Sequence, residues 1–138
     1  MRKALYILWI GMVVALMSCS EPKKDMAAAN AAKEFYDSLV ARNVSFFVRG
    51  TYLADTIPDG YREQLEASAK MLLARIGELH HGVNGVTVVD CINDTVNADG
   101  NKAGIRVADA FLMLNFNDST NEEIVVPMIL HKGKWLMR

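Results

Sequence analysis

At Gly82 the hydrophobic pattern of this chain changes period, and that change limits the folds open to it. Before it, Tyr61, Leu65, Ser68, Leu72, Ile76 and Leu79 recur at three- and four-residue steps, the repeat of one face of an α-helix. After it, "GVTVVDCI" is dense in β-branched residues, which suit a pleated, half-buried strand. A chain that switches once from helices to strands cannot alternate them, so a parallel sheet wound with crossover helices is excluded. What remains is an α+β arrangement whose strands run antiparallel.

The rest of the sequence fills in that scheme. A first helix is expected over about residues 26–42. Ala28, Ala32, Phe35 and Leu39 mark its apolar face, Asp25 its N-cap and Asn43 its end. "VSFFVRG" suits a short second helix ending at Gly50. "DTIPDGY" is loop chemistry, and the third helix should run from about Tyr61 to Leu79. On the strand side, "NADGN" and "NDSTN" are turn signals that separate the first three strands. "KGK" turns the third strand, "EIVVPMILH", into a short fourth, "WLMR". Four strands joined by short turns make a meander, and the helices must cover one of its faces. Pro127 inside the third strand calls for an edge or a bulge, because proline cannot donate to a ladder. The sheet end beside it is therefore expected to be incomplete, open to a partner strand or to a second copy of the chain.

At 138 residues the chain is long enough for one domain and not two. Its formal net charge of −1 and its short basic runs exclude a nucleic-acid-binding surface. The first residues stand apart from the fold. Arg2 and Lys3 precede an uncharged apolar run, "ALYILWIGMVVALM", which ends in "LMSC". The run is shorter than the roughly 20 residues that a membrane-spanning helix needs and has the form of a secretory signal. "LMSC" resembles the lipobox of bacterial lipoproteins, with Leu16 three places before Cys19. The resemblance implies cleavage before Cys19, lipidation of its thiol and anchoring of the domain to a membrane. Ser20 in the next position implies, in a two-membrane cell, the outer membrane, with the domain periplasmic or surface-facing. The expected organisation is a signal peptide over 1–18, a lipidated cysteine and polar tether over 19–25, and one α+β domain over 26–138. Cys91 then has no partner in the chain and is read as a small buried apolar residue.

The element order, with "AAKEFYDSLVARN", "YREQLEASAKML" and the ending "VVPMILHKGKWLMR", resembles the nuclear transport factor 2-like (cystatin-like) superfamily, as do many small bacterial lipoproteins. The resemblance implies helices packed on a curved four-stranded antiparallel sheet, and a closing hairpin with a buried Trp135. Enzymes of that superfamily place an acid or base on a strand inside the cone. Asp109, mid-strand in "IRVADAFLMLNF", is the candidate here. Under strict alternation it shares a face with Ile105, Val107, Phe111 and Met113; a β-bulge at 108–110 would instead turn it to solvent. A carboxylate in apolar surroundings would have a raised pKa and could serve as a general base.

Other chemistry is scarce. His80 and His81 are adjacent, which is the wrong spacing for one metal on a helix, and they suit a helix C-terminus. His131 adjoins a turn. No metal site and no cofactor are expected. "DSL", "DTI", "DTV" and "DST" resemble acceptor sites for O-glycosylation of exported proteins. The expectation is a non-enzymatic, envelope-anchored domain that binds a protein partner or a small apolar ligand. Phe46, Phe47 and Tyr52 and the open sheet face are its contact candidates. The alternatives are a small enzyme using Asp109 and a purely structural envelope protein.

Overall fold

The computed structural model describes residues 25–52, 54–96 and 104–138. Three helices come first: α1 (Ala27–Val40), α2 (Val44–Arg49) and α3 (Asp59–His80), with a 3-10 turn at Ala54–Thr56 ahead of α3. Four strands follow: β1 (Val83–Val96), β2 (Ile105–Phe116), β3 (Asn121–His131) and β4 (Lys134–Met137). They form one antiparallel sheet in the order β1-β2-β3-β4. This is the expected α+β meander with helices on one face. Cys19, the leader over 1–18, the tether up to residue 24 and the "NADGN" turn lie outside the described residues.

Alanines decide how α1 meets the sheet. Ala28, Ala29 and Ala32 are fully buried, and so is Ala110 on β2. With only methyl groups between them, helix and strand approach closely, and Leu112, Leu114, Phe116 and Met128 fill the core around the contact. Asp25 stands one residue before the helix cap, Met26, and its carboxylate accepts the Ala27 N–H at 3.0 Å. Its backbone oxygen accepts from Asn93 Nδ2 at 2.9 Å, and its carboxylate lies 3.2 Å from Arg106, so the helix start is tied to β1 and β2. At the other end Arg42 takes a positive φ of 69°, and the Asn43 N–H reaches back to Ser38 O at 2.8 Å. That closes α1 in the manner of a left-handed C-terminal turn. Asn43 also opens α2, its side chain accepting the Phe46 N–H. The short chain path to β4 depends on Gly50, where a Cβ would fall 2.5 Å from the Phe35 ring.

On β2, Ala108, Ala110, Leu112, Leu114 and Phe116 are buried toward the helices. The alternate residues face the other side, which no described helix covers; of these Val107 alone is buried. The register through 108–110 is unbroken; the irregularities are on β1, between Val83 and Gly85 and between Val88 and Asp90. β1 also runs on to Val96, beyond the expected end near Ile92, with Asp94 paired to Val107 inside the strand. As the edge strand it presents polar side chains to solvent, where they cost little. "DTV" is thus strand and not loop.

Pro127 sits where its missing N–H is cheapest. Its carbonyl accepts from Arg138 N at 3.0 Å, on the side where β4 is already ending. The sheet end is less open than expected, because Thr51 bridges Met137 in parallel. Met137 N donates to Gly50 O at 2.7 Å, and Tyr52 N donates to Met137 O at 2.6 Å.

α3 has close to the expected bounds, but only part of the expected stripe packs: Ile76 lies against the core and Leu65 is half-buried. Ala69 is its one buried residue, with Leu73 packed beside it against Leu39 and Val44. Tyr61, Leu72 and Leu79 from the apolar stripe are exposed, as is Met71. α3 is pinned at its ends. Arg62 Nη2 donates to Ala54 O at 2.9 Å, and the β2–β3 turn holds His80.

Candidate functional site

The three aromatic candidates point three ways, since adjacent helical positions diverge by about 100°. Phe47 turns inward and meets Tyr36 edge-on, with ring centroids 5.2 Å apart. Tyr52 packs edge-on against His131 at 5.1 Å. Phe46 remains 36% exposed and leans on Phe35, centroids 5.6 Å apart. Phe35 and Phe46 line a groove of about 540 Å³ together with Gly50 and with Trp135 and Leu136 of β4. Glu34, Arg49 and Lys134 stand at its rim. Trp135 is half-buried, not fully buried as the terminal hairpin implied, because one side of the ring borders this groove while Arg106 lies 5.8 Å over its face. The groove draws on α1, α2 and β4, three segments far apart in sequence. Phe35, Arg49 and Trp135 were therefore invisible as a set. The one advance signal was the pair of consecutive aromatics in so short a helix, of which only one can turn inward.

Asp109 lies on the uncovered sheet face, between Ile92 and Pro127 in register. Its side chain is about half exposed and faces Arg138 at 3.9 Å, a long ion pair. It is exposed because no described helix lies over that face, not because of a bulge. The same face exposes Ile92 and Val125.

His80 belongs to a polar clamp. Its ring stacks on Phe116 at 4.1 Å, and its Nδ1 lies 2.9 Å from an Asp118 carboxylate oxygen. The Thr120 hydroxyl donates to the other oxygen of Asp118. Those two contacts, Thr120 first and then His80, hold the Asp118 carboxyl down to about 2. A carboxylate held that low is a weak base, so the hydrogen bond it accepts orients the Thr120 hydroxyl without strongly activating it. The clamp instead ties the C-terminus of α3 to the β2–β3 turn, where Asn117 Nδ2 also donates to His81 O at 2.9 Å. His81 takes a left-handed φ of 62° and ends the helix. Cys91 is fully buried in the core. No group of three or more His, Cys, Asp or Glu side chains gathers among the described residues.

No protein-family model matches this sequence, and no curated protein matches it. Among solved structures, the chain is similar to the crystal structure of a candidate NTF2-like transpeptidase from Campylobacter jejuni. The two share 18% identity at a TM-score of 0.57, over 78% of this chain and 94% of that one. The fold is therefore NTF2-like. One expectation is corrected by the same finding. The chain was read as non-enzymatic, yet a protein of this fold is a candidate transpeptidase, so the fold gives no ground for setting catalysis aside.

Proposed function

We propose that the domain holds an apolar group of a small ligand in the groove between α1, α2 and β4. The observation that supports this most is Phe46, a large ring left 36% exposed on a concave surface that Trp135 also lines. Aromatic walls give a ligand large contact area at little entropy cost. In the full chain carrying Trp9→Phe, Trp135 is the one remaining indole, and its emission reports the groove directly. N-phenyl-1-naphthylamine, a neutral apolar fluorophore, should brighten on addition and quench Trp135. Phe46→Ser should weaken that binding by about five-fold or more, the cost of removing a ring's worth of apolar contact. Equal binding by both proteins would remove the groove from consideration.

Catalysis on the bound ligand is the second reading, supported by the candidate transpeptidase of this fold. Asp109 stays a candidate in it only as an exposed carboxylate paired with Arg138. Turnover that survives Asp109→Asn would take that residue out of the chemistry. We also propose that Cys19 carries the lipid that anchors the domain at the outer membrane of its cell. None of the helices among the described residues is long and apolar enough to cross a membrane.

A further inference from the structure

A second depression of about 400 Å³ adjoins the groove. It is lined by Arg49, Thr51, Ala54 and Thr56 on one side and by His131, Lys132, Lys134 and Leu136 on the other. Four of these eight residues are Arg, Lys or His, and none is acidic, in a chain whose formal net charge is −1. No described side chain forms an ion pair with Arg49, Lys132 or Lys134. Nor are these cations carried on loose chain. Lys132 and Gly133 both have positive φ, 50° and 78°, which makes the two-residue turn between β3 and β4 a tight primed hairpin. Arg49 ends α2, one residue before the Gly50 backbone bond to β4. His131 is steadied by the Tyr52 ring. Gathering like charges on rigid elements is unfavourable until a counter-charge arrives, and a guanidinium with nearby ammonium groups suits an oxyanion.

We infer that this cleft binds the oxyanion, phosphate or carboxylate, of an amphiphilic ligand. The two depressions share Arg49, Lys134 and Leu136, so one molecule can set its charged end in the cleft and its apolar body in the groove. The second half of that statement rests on the groove reading above; the anion site does not.

The probes are inorganic phosphate, acetate, octyl phosphate, octanoate and octanol, titrated into the full chain and followed by amide and indole NMR shifts. Phosphate or acetate should move the amides of Lys132, Gly133 and Lys134 selectively, and whichever moves them more identifies the anion. Octyl phosphate or octanoate should bind about ten-fold more tightly than octanol, the worth of a charge-assisted contact, and should also move the Trp135 indole. The exposed-turn variant Lys132→Glu, at a residue that lines the cleft and not the groove, should lose most of that preference and keep its affinity for octanol. Selective shifts from inorganic phosphate with no binding of any octyl compound would uphold the anion site and sink the groove. Equal affinity for octanol and both octyl anions, or phosphate shifts spread evenly over all lysines, would overturn the anion site.

Discussion

Alanine in place of Leu112 should cost the domain about 2–5 kcal/mol, a large part of the roughly 5–15 kcal/mol that holds a domain of this size together. Leu112 is fully buried, on the β2 face that meets α1, level with Val88 on one neighbouring strand and Ile124 on the other. Removing its isobutyl group leaves a hole that backbone on three sides cannot close. The thermal midpoint should fall by on the order of 10 °C or more. Met113 is the internal control. It sits one residue along, on the uncovered face, half-buried, so Met113→Ala should cost well under half as much. Equal losses in the two variants would mean that the faces of β2 are wrongly assigned, and with them the location of Asp109.

Alanine in place of Cys19 should abolish acyl labelling completely and leave the precursor uncut. The argument is chemical. Only a thiol can take the diacylglycerol thioether, and the second thiol of the chain cannot substitute. Cys91 is fully buried in the core on β1, beside Ala110 of β2, beyond the reach of a membrane enzyme acting on folded protein. Cys91→Ala should therefore label normally. Metabolic labelling with a fatty acid, followed by a mobility shift on gels, checks both. Full labelling of Cys19→Ala would end the lipoprotein reading. Two or three acyl chains hold firmly, whereas one alone is marginal, so the acylated mature chain should travel with the membrane fraction.

Element type and order were legible because they depend on local chemistry. The α3 bounds follow from the turn residues at Pro58 and Gly82, and the helix differs from expectation by two residues at its start and one at its end. Which face of α3 packs was legible only in part. The stripe of Tyr61, Leu65, Ser68, Leu72, Ile76 and Leu79 includes Leu65 and Ile76, which turn inward, but Tyr61, Leu72 and Leu79 are exposed, and Ala69 and Leu73 make the contact with Leu39 and Val44. β1 was read too short for a related reason. Asn93 and Asp94 carry turn chemistry in isolation, and only pairing with β2 keeps them extended. The groove and the basic cleft were out of reach altogether. Their residues come from positions 31–56 and 131–136 and meet only through the close of the β3–β4 hairpin onto Gly50 and Thr51.

The way α3 is fastened has a consequence for how the protein opens. A helix of 22 residues, about 33 Å long at 1.5 Å per residue, is held by a clamp at one end, a side-chain bond near the other and, between them, one buried alanine with half-buried Leu73 and Ile76. Such a segment can unfold locally at a small fraction of the global cost, while α1 and the sheet stay intact. Amide hydrogen exchange should show it as two populations. Protons in the middle of α3 should exchange well ahead of those in α1 and β2, and equal protection throughout would mean that the domain opens as one unit. If two populations are found, the unit that resists unfolding is smaller than the fold. It comprises α1, α2, the 3-10 turn at Ala54–Thr56 and the four strands, the parts that carry both depressions, and α3 is the part the protein can release without losing them.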